Sequence, residues 1–256
     1  MGRFSFSKSR RNGQSHPPRT AKARRTVRRQ RGLSVETLER RELLAANTVG
    51  LISIDEARAS DGYTLFSPQT GRDSYLINNR GQVVNQWHSD YNAGLTGYLT
   101  EDGDLVRGGV LRDNVNGTLA APGASGIIEK FNWEGEKTWS YVYSTNTELS
   151  HHDLEVMPNG NVLVMVWEFR SGAESRAAGR NPNKLSLGYL LPDVITEVKP
   201  TGPTTGEVVW EWKVWDHLVQ QYDPTKENYG IVADNPQLID LNYVSTGPGK
   251  GANAAD

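Results

Sequence analysis

The chain has 256 residues, with 28 Lys or Arg against 30 Asp or Glu and no cysteine; one or two domains are expected, and disulfides and thiolate metal sites are excluded. No run of 18 apolar residues exists, so no membrane-spanning helix is expected. Hydrophobic residues make up 36%, beside 26 Gly, 12 Pro and 7 Trp, a turn-rich and aromatic composition that fits an all-β architecture.

The charge is unevenly placed. Residues 1–31 hold eleven Lys or Arg and no acid, which leaves 17 basic residues to face 30 acidic ones downstream. A basic arm on an acidic body fits either a nucleic-acid arm or the charged start of an export leader. The segment Leu33–Ala46, LSVETLERRELLAA, supports the leader. It resembles leaders of secreted bacterial proteins in which a long basic start precedes a Leu-Glu-x-Arg-x-Leu-Leu-Ala motif. It lacks the apolar stretch of an ordinary signal peptide. Residues 1–47 are therefore expected to be an export leader without a stable fold, no nucleic acid is expected as a partner, and the location is expected to be extracytoplasmic or secreted. Residues 48–256 are the expected folded domain.

From Thr48 onward short strands and turns alternate. Asp61-Gly62 opens a strand through Phe66; Ser74–Asn78 and Val83–Trp87 flank the turn Asn79-Arg80-Gly81-Gln82. Tyr98–Thr100 leads through Glu101-Asp102-Gly103-Asp104 to Leu105–Leu111. Ile127–Asn132 and Lys137–Tyr143 flank Glu134-Gly135-Glu136. In His151–Glu168, HHDLEVMPNGNVLVMVWE, the Asn-Gly between two apolar runs predicts a β-hairpin, because both turn residues must reach positive φ.

These hairpins repeat. Gly81 maps to Gly135, 54 residues on, Trp87 to Trp139, 52 on, and Gly103 to Gly160, 57 on. A third copy begins at Ile195, with Gly206 and Trp210 each 71 residues after their counterparts; the excess is an insertion at about 169–193. A repeat of roughly 50 residues made of two hairpins points to a β-propeller blade rather than a β-sandwich. Three copies begin and about two and a half four-stranded blades are present, so a partial propeller is expected, with open edges that favour self-association. A fragment, a truncated reading frame or half of an assembly would each explain this.

The repeat also serves as an internal control. At the offset of 57, His151, His152 and Asp153 fall on Gly94, Leu95 and Thr96, so the scaffold does not require histidine there. Neighbouring strand residues face opposite ways, so one of the two histidines at most points at a central channel. Asp153 is expected to orient an imidazole, the part a carboxylate plays beside a catalytic histidine. Solvated imidazoles at a strand end are the plainer alternative. Arg107 is expected to line the channel, and Arg170, Arg176 and Arg180 in the insertion could form an anion-binding lid or be simply solvated. A structural His217 capped by Asp216 and a surface His88 are expected. No third ligand spacing supports a metal. Gly247–Gly251, GPGKG, lacks the Ser or Thr that a phosphate loop needs after Lys.

The stretches DGYTLFSPQTGRDSYLINNRGQVVNQW, HHDLEVMPNGNVLVMVWE and the long segment from Leu191 to Tyr243 resemble the arylsulfotransferase family of secreted bacterial propellers. The resemblance implies a six-bladed propeller that moves a sulfuryl group from an aryl sulfate to a phenol, without a nucleotide donor, metal or dissociable cofactor. It implies a channel histidine that attacks sulfur and forms a sulfohistidine, with further histidines and an arginine steadying the oxyanion. The family's channel histidines carry over to His151 and His152 alone. The family continues past Asn242-Tyr243 into further histidine-bearing blades. A non-catalytic secreted propeller that binds or scaffolds is the competing reading; a propeller hydrolase of sulfate or lactone esters is a third.

Overall fold

The computed structural model describes residues 51–111 and 122–244. The expected leader, the Gly247–Gly251 loop and the tail Ser245–Asp256 lie outside the described residues. The first sheet is an antiparallel meander of β1 (Tyr63–Phe66), β2 (Asp73–Asn78) and β3 (Val83–His88). The second is a four-stranded meander of β4 (Ala93–Leu99), β5 (Leu105–Val110), β6 (Gly126–Phe131) and β7 (Lys137–Val142). The third begins with β8 (Glu148–Val156) and β9 (Val162–Glu168). The chain then passes through β10 (Arg170–Ser171), α1 (Gly172–Ala177), a 3-10 turn Pro182–Lys184 and β11 (Tyr189–Leu190). It returns as β12 (Asp193–Gly202) and β13 (Thr205–Lys213), which complete a sheet of order β8-β9-β12-β13. A short parallel pair, β14 (Leu218–Val219) and β15 (Ile239–Asp240), follows.

Local chemistry sets the turns. Asn78 donates from Nδ2 to Gln82 Oε1 and accepts the Gln82 amide, while Gly81 takes φ +71. Asn132 makes the same bonds with Glu136, and Gly135 takes φ +88. Such side-chain-to-backbone bonds mimic a turn, and glycine supplies the left-handed residue. The helix α1 starts on a capping box, with Ser171 and Glu174 each satisfying the other's backbone N–H.

The three sheets carry one repeated irregularity. In each closing hairpin a single extra residue bulges from the second strand: Val84, Thr138 and Val209. The bulge fixes which residues correspond. Trp139, opposite Lys130, matches Trp210, opposite Glu197, and the residue matching both in the first sheet is Asn85, opposite Leu76. The expected match of Trp87 to Trp139 is thus off by two residues, and Trp87 corresponds to Tyr141. Gly206 does not repeat the role of Gly81 either; it sits in the ladder opposite Pro200.

The two tryptophans nevertheless do the same work between sheets. Trp87 Nε1 donates to Asn132 O at 2.8 Å, and Trp139 Nε1 donates to Thr205 O at 3.0 Å. Each locks one sheet to the outer hairpin of the next. Leu76, Trp87, Leu105 and Phe131 fill the space between the first and second sheets. Val106, Ile128, Trp139, Leu154, Val164 and Val198 are among those that fill the space between the second and third. The leading strands β4 and β8 lie side by side, as do β7 and β13 at the opposite margin. Successive meanders stacked in chain order, leading strand beside leading strand, form an all-β partial propeller. On β13, Val208, Val209 and Trp210 are exposed.

Candidate active site

The leading strands share a second irregularity. In β4 the register jumps between Ala93, opposite Gly109, and Gly97, opposite Arg107. In β8 it jumps between Ser150, opposite Val166, and Leu154, opposite Val164. The residues left out of the β4–β5 and β8–β9 ladders are Gly94–Thr96 in one sheet and His151–Asp153 in the other. The His-His-Asp cluster therefore occupies a bulge at the boundary between two sheets, where side chains are freed from strand alternation.

His151 points inward. It is 3% exposed and stacks on Trp167, with ring centroids 4.1 Å apart and planes 9° from parallel. Burial holds its pKa below the ordinary imidazole value, against the opposing pull of Asp193. Its Nε2 is enclosed and stands 3.1 Å from Asp193 Oδ1, at an angle oblique to a well-aligned hydrogen bond. Its Nδ1 lies 2.9 Å from His152 Nδ1.

His152 is exposed and takes φ +47, a left-handed conformation uncommon for a residue with a side chain. Its amide donates to Gly123 O, and its ring covers Gly123 so closely that a Cβ there would meet His152 Cε1 at 2.3 Å. Gly123 also lines an open cleft of about 530 Å³ with Thr70, Tyr91, Asn92 and Leu95. His152 itself does not line this cleft; with His151, Asp153, Thr96 and Ser125 it lines a narrow crevice beside it, and Gly123, under its ring, is the residue that joins the two.

The other expected site residues are arranged differently. Asp153 orients neither imidazole: its carboxylate accepts from Tyr98 OH at 3.1 Å and from the Leu154 amide. The carboxylate beside His151 is Asp193, at the end of the insertion and the start of β12, which no motif or spacing marks. Arg107 does not line a channel. It is 1% exposed and donates to the carbonyls of Arg72, Tyr91 and Gly108, opposite the fully buried Glu129. Arg180 is buried too and anchors the carbonyls of Lys184, Leu241 and Tyr243. Arg170 pairs with Glu168 at 2.8 Å and lies over the Trp215 ring. None of these three is bonded to His151, His152 or Asp153. His217 is held by the Lys213 carbonyl rather than capped by Asp216, and exposed His88 pairs with Asp73.

Among the described residues no group of three His, Cys, Asp or Glu side chains is gathered to hold a metal. No helix among them is long and apolar enough to cross a membrane. The buried, carboxylate-facing His151 and the exposed His152 form an imidazole pair joined through their Nδ1 atoms. No curated protein matches the sequence. The family model described as Arylsulfotransferase (ASST) matches residues 56–251, a span that includes all three sheets and the histidine bulge, and the chain belongs to the arylsulfotransferase family.

Proposed function

We propose that this chain transfers a sulfuryl group from an aryl sulfate to a phenol, with His152 Nε2 as the nucleophile. One observation carries the assignment: His152 is exposed, and its Nδ1 is engaged by His151 at 2.9 Å while Nε2 has no protein hydrogen bond among the described residues. A neutral imidazole is a competent nucleophile near pH 7, and a phenolate of pKa about 10 is a workable leaving group. In the first step the Nε2–S bond forms, the S–O bond to the aryl group breaks, and the phenolate departs. In the second the acceptor phenol oxygen attacks sulfur, the N–S bond breaks to return neutral His152, and the phenolic proton passes to solvent, where it balances the phenolate released in the first step. The basic residues 1–31 and the LSVETLERRELLAA segment support export as the setting for this chemistry.

A non-catalytic binding or scaffold module is favoured by a different observation. The three arginines that would have steadied the sulfuryl oxygens are committed to carbonyls and carboxylates of the fold. Incubation of the full chain with 4-nitrophenyl sulfate and phenol separates the two. The enzyme reading expects nucleotide-independent release of 4-nitrophenolate with phenyl sulfate formed, and a loss of more than about 1,000-fold in His152→Ala. The fold should survive that change, because Leu95 holds the matching bulge position on β4. No transfer by the parent chain, or equal transfer by His152→Ala, refutes it.

A further inference from the structure

We propose that Asp193 is a positioning residue that sets the tautomer of His152 through His151. The inference rests on reading His152 as the nucleophile, but its geometry stands apart from any turnover.

Nδ1 of His151 and Nδ1 of His152 are 2.9 Å apart, a separation that requires one proton between them, supplied by either ring. If His151 supplies it, His152 must carry its own proton on Nε2, and that nitrogen is no longer a nucleophile. If His152 supplies it, Nε2 of His152 keeps a free lone pair. The choice is made on the far side of His151. There the buried Nε2 faces the Asp193 carboxylate at 3.1 Å, and a carboxylate accepts but cannot donate. Asp193 therefore favours the proton on His151 Nε2, which leaves Nδ1 of His151 as the acceptor. Burial disfavours a second proton on the same ring, so the form that donates from both nitrogens is suppressed. Stacking on Trp167 holds the ring plane, and the backbone bridge between His151 and Ala124 holds its base.

Asp193 is well placed for this role. It opens β12 opposite Trp167, so the residue that stacks on His151 and the one that faces its Nε2 are cross-strand partners. Its side chain is 34% exposed, and it also lines a largely apolar cavity of about 270 Å³ with Leu190, Val214 and Trp215. It contacts neither the cleft beside Gly123 nor His152, and acts only through the intervening imidazole.

The test is long-range ¹H–¹⁵N spectroscopy on the full chain labelled at histidine, with the His152 signals identified by their loss in His152→Gln. The parent should show His152 protonated at Nδ1 and bare at Nε2. Asp193→Leu removes the carboxylate whose negative charge favours a proton on the nearby Nε2, so His151 should move its proton to Nδ1 and His152 should become the Nε2–H form. Asp193→Glu should keep the parent tautomer. In the transfer assay, kcat should fall by about 100-fold or more in Asp193→Leu with KM changed less than about twofold, as expected when a wrong tautomer is imposed on intact geometry. An unchanged His152 tautomer in Asp193→Leu overturns the proposal whatever the activity. A switched tautomer in a chain that never turns over 4-nitrophenyl sulfate upholds it and removes the transferase reading instead.

Discussion

Replacing Arg107 should destabilise the fold rather than weaken its hold on an anion. Its side chain is 1% exposed and stands directly across the ladder from Glu129, which is 0% exposed, with Nε 3.9 Å from the carboxylate. The guanidinium also donates to Arg72 O at 3.0 Å, just before β2, and to Tyr91 O at 3.1 Å, between β3 and β4. Arg107→Met leaves these two carbonyls short of a donor and Glu129 short of one of its two countercharges, the other being Lys137. Breaking one side of a buried pair costs about 3–5 kcal/mol, a range that already includes the stranded charge. Ser89 and Lys137 still reach Glu129, which places the expected loss toward the lower end. At roughly 2–4 °C per kcal/mol for a domain of this size, the midpoint of thermal unfolding should drop by about 10 °C. Circular dichroism melts and urea titrations measure this. Arg107→Met with Glu129→Gln should recover part of the loss, because the uncompensated charge is then gone. A melting point within about 2 °C of the parent, with KM for the aryl sulfate raised more than about tenfold, would show that Arg107 binds substrate and that the structural account is wrong.

Gly123→Ala should cost about 1–2 kcal/mol from its φ of +94 and should also push the His152 ring from its place, lowering transfer by about 100-fold. Gly135→Ala is the control, since φ is +88 there and nothing lies within 4 Å; equal activity in the two variants would refute the steric role of Gly123. The exposed Val208, Val209 and Trp210 on the outer strand β13 predict self-association. Sedimentation velocity over roughly a hundredfold range of concentration should show a rising weight-average mass that Val209→Lys with Trp210→Lys suppresses, and a constant monomer would contradict it.

Hairpins were the most legible part of the fold, because their signals are local. Asn78 and Asn132 bond to the residue four positions on, and Gly81 and Gly135 supply the positive φ, all within five residues. The tryptophans were harder to align. A uniform offset of 54 carries Asn78, Gly81 and the bulged Val84 onto Asn132, Gly135 and Thr138, and the same offset carries Trp87 onto Tyr141. Matching tryptophan to tryptophan breaks that offset. The physical reason is that turn and bulge fix the register, whereas a large indole can reach the next sheet's hairpin from either of two positions on one face. Both Trp87 and Trp139 do so, from different places, and a residue-type match cannot distinguish shared position from shared task.

The site divides along the same line. The offset of 57 between Gly103 and Gly160 placed His151–Asp153 on Gly94–Thr96, and the two strands do interrupt their ladders over those same residues. What the sequence could not show is where each side chain finds its partner. Asp153 adjoins His152 in the chain, yet it turns to Tyr98 on the neighbouring leading strand. Asp193 is separated from His151 by a complete strand and an inserted helix, yet it faces the buried nitrogen because β12 pairs with β9 and puts it opposite Trp167. The arginines mislead for a related reason: a cation on a strand reads as solvated or ligand-binding, and only the packed structure shows the backbone carbonyls that Arg107 and Arg180 satisfy. A bulge built from Gly, Leu and Thr in one sheet and from His, His and Asp in the next uses one backbone distortion twice. The distortion belongs to the blade; what is specific to the third sheet is the imidazole pair seated on it, stacked on Trp167 from one strand and faced by Asp193 from the next.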